Sequence, residues 1–323
     1  MNPWRRRALV ATILAAAIPA LGAAPEPTTP PQTPPNGRLL SLSAASLPEG
    51  ASARPEYAAI LNDVAVSSIT YASDGLKVKG YLAVPKAGEH LPCVIWNRDG
   101  NRAFRAVTNL EAVTVLGALA RRGYIVVASQ YRGSPGSDGR DELGGGDVDD
   151  VLNLLPLLES LPRADPGRVG MVGLSRGGMM TYLALSRTTR IAAAVVASGI
   201  SDLFEWLEKR RDMESAFEAL VPDFHEKREE TLAARSAIRW PEKLAPQTPI
   251  LILAGARDWS VSPQQSLDMA RALLTRHHPF RLVLLERAGH DLREQKDEAD
   301  REITGWLDRY VRDREPFPGA GTP

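Results

Sequence analysis

One cysteine in 323 residues, Cys93, excludes an internal disulfide framework and any multi-thiolate zinc or iron–sulfur site. Net charge is missing too: 39 Lys and Arg meet 39 Asp and Glu, so no global field exists to hold nucleic acid or an anionic membrane. No apolar run reaches the roughly 20 residues a bilayer span needs. No internal repeat recurs. What is present, 44% hydrophobic and 24% charged residues, fits an ordinary globular protein and not a disordered, collagen-like or coiled-coil chain. The length lies near the limit of ~250–300 residues for a single core. One large domain with tails is expected.

The amino-terminal tail carries a targeting pattern. Arg5, Arg6 and Arg7 precede an apolar stretch from Ala8 to Ile18, followed by Pro19 and small residues. A basic end, a short apolar stretch and a small-residue cleavage zone describe a secretory signal peptide. Residues 1–22 are therefore read as that leader, with cleavage near Gly22 and a secreted or periplasmic product free of the membrane. Residues 23–55 read as a Pro-rich disordered tether, because seven prolines fall between Pro25 and Pro48 and little apolar surface is on offer there. The catalytic body is expected over residues 56–315, with a frayed tail at 316–323.

Within the body, β-rich runs alternate with helical patterns. Val64–Ala72 and Lys77–Val84 flank Ser73-Asp74-Gly75, a hairpin signature. Then come the runs at Cys93–Trp96, Tyr124–Ala128, Val169–Val172, Ala192–Ala197, Ile250–Leu253 and Arg281–Leu285. Most are continuous apolar stretches, as expected of parallel strands covered on both faces. Helical spacing appears in Val148, Val151, Leu152 and Leu155, and again in Ile303, Trp306, Leu307, Tyr310 and Val311. This order predicts an α/β fold: a doubly wound, mostly parallel sheet with an antiparallel N-terminal hairpin. Residues 201–245 break the rhythm with charged, helix-like sequence and read as a helical insertion over the sheet.

Gly173-Leu174-Ser175-Arg176-Gly177 directly follows the strand ending at Val172 and opens a helix. That strand–turn–helix setting turns a weak five-residue motif into a nucleophile elbow. A serine hydroxyl needs a base to take its proton and a third group to hold the base. Asp258 follows the Ile250–Leu253 run and His290 follows the next one, in the order Ser, acid, His expected after an elbow. Each residue has an ordinary reading, as a helix cap or solvated loop residue, but the three together point to a Ser175–His290–Asp258 triad. Asp291 is the rival acid. His277 and His278 end a helix, where a cation suits the dipole. Cys93, in a central strand, reads as a buried inert thiol. Asp147, Asp149 and Asp150 read as acids opening a helix, with no metal site assigned. Arg98, Arg102 and Arg132 read as structural ion pairs more readily than as carboxylate binders.

With these residues in place, the chain resembles the prolyl oligopeptidase family of serine peptidases, in its α/β-hydrolase catalytic domain, over about residues 65–312. The resemblance rests on Gln130-Tyr131-Arg132-Gly133-Ser134-Pro135-Gly136-Ser137, on Gly146-Asp147-Val148-Asp149-Asp150-Val151, and on the run from Gly170 through Gly178. It continues through Ala254–Asp258, Val261–Ser266 and Gly289-His290. It implies a serine peptidase acting on short or N-blocked peptides through an acyl-enzyme, with no cofactor. A β-propeller, carried by well-known members, is not expected before the hairpin. Where the family places a Tyr or a His-Gly-Gly run after the first parallel strand, this chain has Asn97-Arg98-Asp99-Gly100. The oxyanion hole is therefore assigned to the backbone N–H of Arg176 together with either the Asn97 side chain or the backbone N–H of Arg98. A carboxylesterase on the same scaffold is the alternative, and an inert α/β-hydrolase-like binding protein a third reading.

Overall fold

The structure, a computed structural model, describes residues 33–317 apart from 48, 52 and 53. Its organising element is a nine-stranded sheet in the order β1-β2-β3-β5-β4-β6-β7-β8-β9. The strands are β1 (Leu39–Ala44), β2 (Val64–Ser73), β3 (Leu76–Pro85), β4 (Leu91–Asn97), β5 (Ile125–Ser129), β6 (Ala164–Leu174), β7 (Ala193–Ala197), β8 (Ile250–Gly255) and β9 (Phe280–Leu285). β1, β2, β3 and β5 pair antiparallel, and from β5 to β9 every pairing is parallel. The expected doubly wound sheet with an antiparallel leading hairpin is what forms.

Local chemistry explains both halves. Ser73 faces Leu76 across the β2–β3 register, which leaves the two-residue loop Asp74-Gly75. Both loop residues have positive φ, at 50° and 81°, the backbone a tight hairpin loop requires and which Asp-Gly supplies. In the parallel half, β5, β7 and β8 are buried along their whole length, so both faces must be covered. The pleat divides β4 between two cores: Cys93 and Ile95 join one face, Val94 the other. Helices Asp147–Leu152 and Arg176–Leu185 cover the first face. Lys296–Leu307 covers the second, with Trp306 and Leu307. Each large aliphatic buried this way contributes about 1.5–3 kcal/mol.

The tether reading needs correction. Leu39–Ala44 is an antiparallel edge strand on β2, tied further by Ala72 N–H donating to the Arg38 carbonyl at 2.9 Å and by Ser41 Oγ donating to Thr70 Oγ1 at 2.8 Å. No proline falls between Pro35 and Pro48, and the Leu-Ser alternation from Leu40 to Ser43 in that gap suits an exposed edge strand. Phe317, placed in the frayed tail, packs 5.6 Å from Tyr310 and 6.2 Å from Trp306, ring to ring. The leader at 1–22 and the last residues, 318–323, lie outside the described residues.

β4 sits between β5 and β6, where the strand order reverses. In open sheets of this kind ligands bind at that switch point, above the carboxyl ends of the strands. The loops after β4, β6, β8 and β9 carry Asp99, Ser175, Asp258 and His290 to this edge. The 201–245 insertion is helical, as expected, with Leu203–Lys209, Glu214–Leu220 and Arg228–Ala234 as its main pieces.

Candidate active site

Ser175 stands between β6 and the helix Arg176–Leu185 with φ 56° and ψ −120°. A non-glycine residue held there costs on the order of 1–3 kcal/mol and persists only where the surroundings impose it. They do: Ser175 N–H donates to the Ala197 carbonyl of β7 at 2.9 Å, and the elbow helix presses on β4. A Cβ at Gly177 would lie 2.0 Å from the Asn97 carbonyl oxygen, so only glycine permits that approach.

Asp258 is 7% exposed and its carboxylate is fully engaged. Oδ1 accepts the backbone N–H groups of Ser260 at 2.8 Å and Val261 at 2.9 Å, while Oδ2 lies 2.8 Å from Nδ1 of His290. This contact leaves Nε2 as the free ring nitrogen. Close approach of the two loops depends on Gly255 at the end of β8, where a Cβ would meet the Ala288 and Gly289 carbonyl oxygens at 2.4 Å. Ala256 N–H to Leu285 O and Arg257 N–H to Ala288 O, at 2.8 and 2.9 Å, tie the same two loops. Asp291, the rival acid, faces elsewhere: it pairs with Arg105 at 2.5 Å and Arg293 at 2.9 Å.

Ser175 and His290 line one cavity of about 690 Å³. One wall is apolar, built from Met179, Ile200, Leu203, Trp206, Met213 and Phe217, the last four contributed by the insertion and its lead-in. The insertion is anchored to the acid loop, since Trp206 Nε1 donates to the Ser260 carbonyl at 2.9 Å and Arg210 to the Ser260 hydroxyl at 3.1 Å. Trp259 and Phe104 stand at the mouth, 79% and 69% exposed.

Of the oxyanion donors read from sequence, Arg176 is the first residue of the elbow helix, where N–H groups have no partner within the helix. The Asn97 side chain must be set aside. Its Nδ2 donates inward to Thr181 Oγ1 at 3.0 Å, because the strand's alternation turns Asn97 into the interior under the elbow helix. Neither Asn97 nor Arg98 is among the cavity-lining residues, whereas the next two, Asp99 and Gly100, are.

The Gly-Asp-Val-Asp-Asp run does more than open a helix. Arg176 carries its guanidinium beneath the elbow, where it meets Asp141 Oδ1 at 2.8 Å and also bonds Asp147; all three are buried. Burial would raise the Asp141 carboxyl, but Arg176 and the N–H groups of Arg102 and Leu143 outweigh it and hold it below its ordinary range. Asp150 takes Arg132 at 2.8 Å and the Ser73 hydroxyl at 2.6 Å, yet burial still pushes its carboxyl up. These pairings were invisible in sequence, since each arginine lies 18 or more residues from its acid. Cys93 is fully buried, and burial raises its thiol to about 12. His278 is no dipole-bound cation: burial lowers its pKa, and its Nε2 lies 3.0 Å from the Thr248 carbonyl.

Comparison with known proteins follows the same lines. The peptidase YtmA of Bacillus subtilis is 29% identical over 217 residues, 67% of this chain and 82% of that protein. YuxL, a second peptidase of that organism, is 30% identical over 75% of this chain but only 39% of its own length. A puromycin-hydrolysing peptidase of Mycobacterium tuberculosis superposes with a TM-score of 0.65 at 26% identity, over 80% of this chain and 40% of that one. The chain thus spans less than half of these two longer relatives. An acetyl xylan esterase from Paenibacillus, at 18% identity and TM-score 0.62, shares the fold over 84% of this chain and 90% of its own. The family model for the prolyl oligopeptidase family matches residues 111–314, well over half of the sequence, and the chain belongs to that family of serine peptidases.

Proposed function

We propose that the protein cleaves amide bonds of short or N-blocked peptides, with Ser175 as nucleophile, His290 as general base and then acid, and Asp258 as the group that orients the imidazole. The observation that carries this is the Asp258–His290 contact at 2.8 Å on the rim of the cavity that Ser175 enters from a strained elbow. Asp258 holds Nδ1 and leaves Nε2 to take the serine proton. Ser175 Oγ bonds to the acyl carbon as the carbonyl π electrons move to oxygen. Collapse of that adduct expels the amine, protonated by His290, and water repeats the cycle on the acyl-enzyme. The oxyanion is held by the Arg176 N–H and by backbone N–H groups of Asp99 and Gly100, each donor contributing about 3 kcal/mol. The apolar wall suits a bulky apolar side chain of the substrate.

Export from the cytoplasm is part of this reading, supported by the Arg5–Arg7 cluster and the Ala8–Ile18 stretch. An exported product beginning near Ala23 on amino-terminal sequencing supports it; an uncleaved product retained in the cytoplasm counts against it. The activity is tested with peptidyl p-nitroanilides and short-chain p-nitrophenyl esters, using Ser175→Ala as control. Amide turnover abolished in the control supports a peptidase, and ester turnover alone makes the protein an esterase on the same scaffold.

A further inference from the structure

The turn after β4 has no regular structure, yet a buried cluster binds it from beneath. Arg98 is 2% exposed, and none of its six hydrogen bonds reaches a carboxylate. They go to the carbonyls of Asp99 at 2.9 Å, Arg102 at 2.9 Å and Phe104 at 3.3 Å, twice to that of Gln130, and to the Ser134 hydroxyl. Tyr131, fully buried with φ 66°, places its ring 5.0 Å from the Arg98 guanidinium and 4.9 Å from that of Arg176. Its hydroxyl donates to the Arg98 carbonyl at 3.0 Å. Arg176 bonds the Gly100 carbonyl at 2.8 Å, and Asp141 accepts the Arg102 N–H at 2.9 Å.

The carbonyls of Arg98, Asp99 and Gly100 are therefore all drawn into the protein. Across a planar trans peptide the N–H points opposite to its carbonyl. Pinning the first two turns the N–H groups of Asp99 and Gly100 outward, and those residues line the cavity beside Ser175. A cation without an acid partner and a tyrosine in a left-handed conformation are costly to bury. Burial and the neighbouring Arg176 lower the Arg98 pKa to about 10.

We propose that Arg98 and Tyr131 are positioning residues, which hold the turn so that its N–H groups face the oxyanion formed on Ser175. This rests on the reading of Ser175 as nucleophile. Neither side chain touches substrate; both act through the peptides they fix.

The test compares wild type with Tyr131→Phe, which removes one hydroxyl and keeps the ring, and with Arg98→Lys, which keeps the charge and loses the fork. Each is assayed on a peptidyl p-nitroanilide that the wild type cleaves. Inhibition is measured with the matching peptidyl trifluoromethyl ketone, whose adduct with Ser175 carries an oxyanion, and with the corresponding alcohol, which forms none. The expected result is a fall in kcat of about tenfold for Tyr131→Phe and more for Arg98→Lys, with KM within twofold. The ketone should weaken by the same factor as kcat/KM while the alcohol is unchanged. A folded Tyr131→Phe protein with kcat and ketone affinity within twofold of wild type overturns the proposal, even if Arg98→Lys does not fold. So does weakening of ketone and alcohol alike, which marks general distortion. A wild-type protein that the ketone does not inhibit defeats the nucleophile reading itself, a separate failure.

Discussion

Replacing Asp258 by Asn isolates what the acid does, because the replacement keeps the size and most of the bonds. The Asn carbonyl oxygen can still accept the Ser260 and Val261 N–H groups now held at 2.8 and 2.9 Å, so the loop should survive. The amide NH₂ would then face His290 Nδ1 at the position where Oδ2 now sits 2.8 Å away. A donor there requires an unprotonated Nδ1, which moves the ring proton to Nε2 and leaves no lone pair to accept the serine proton. Removing the acid in this way costs about 10⁴ in kcat where a triad has been dissected, which is about 5.4 kcal/mol of barrier. The assay is initial-rate hydrolysis of a peptidyl p-nitroanilide, with thermal unfolding to show that Asp258→Asn folds. Asp291→Asn serves as comparator and should cost less than tenfold, since Asp291 is spent on Arg105 and Arg293. A folded Asp258→Asn enzyme within tenfold of wild type would refute the assignment, and a larger loss in Asp291→Asn would transfer the role to that acid.

Three other outcomes follow from burial and pairing. Gly177→Ala drives a methyl to 2.0 Å from the Asn97 carbonyl, a backbone atom that cannot swing aside, so destabilisation should exceed the usual ~1–3 kcal/mol of overpacking in urea unfolding. Arg132→Met strands the buried Asp150 and should cost about 3–5 kcal/mol near neutral pH. Because the folded Asp150 pKa is already raised, folding takes up protons above the ordinary carboxylate range and stability falls as pH rises; losing Arg132 raises it further. The deficit of Arg132→Met should therefore shrink toward pH 4 and widen toward pH 7, and a deficit independent of pH would contradict it. Cys93, fully buried with its thiol raised to about 12, should react with a disulfide reagent only after denaturation.

The parallel half of the sheet was legible because strands buried on both faces must be written as uninterrupted Val, Ile, Leu and Ala, as in β7 and β8. The chain order of Ser175, Asp258 and His290, each in a loop after one of these runs, then points to a candidate site at one edge without any distance. Strand β1 is hard to read from sequence because its six residues, three Leu, two Ser and Ala44, lie next to a proline run and only the first two are even half-buried, which leaves almost no apolar signal. The Asn97 side chain was misassigned for another reason. Position after a strand says which loop a residue enters, but the pleat decides which way it points, and Thr181 captured it. The Arg98–Tyr131–Arg176 cluster was hidden because its partners are mostly backbone carbonyls, which leave no mark on composition or spacing.

The central claim is that Ser175 is the activated nucleophile, and a fluorophosphonate tests it most directly. Folded protein treated with the reagent should gain one phosphonyl group by intact mass, mapped to the peptide that contains Ser175, and lose amide turnover in proportion to labelling. Ser175→Ala should gain none. Folded protein that takes no label, or is labelled elsewhere while turnover persists, would contradict the account.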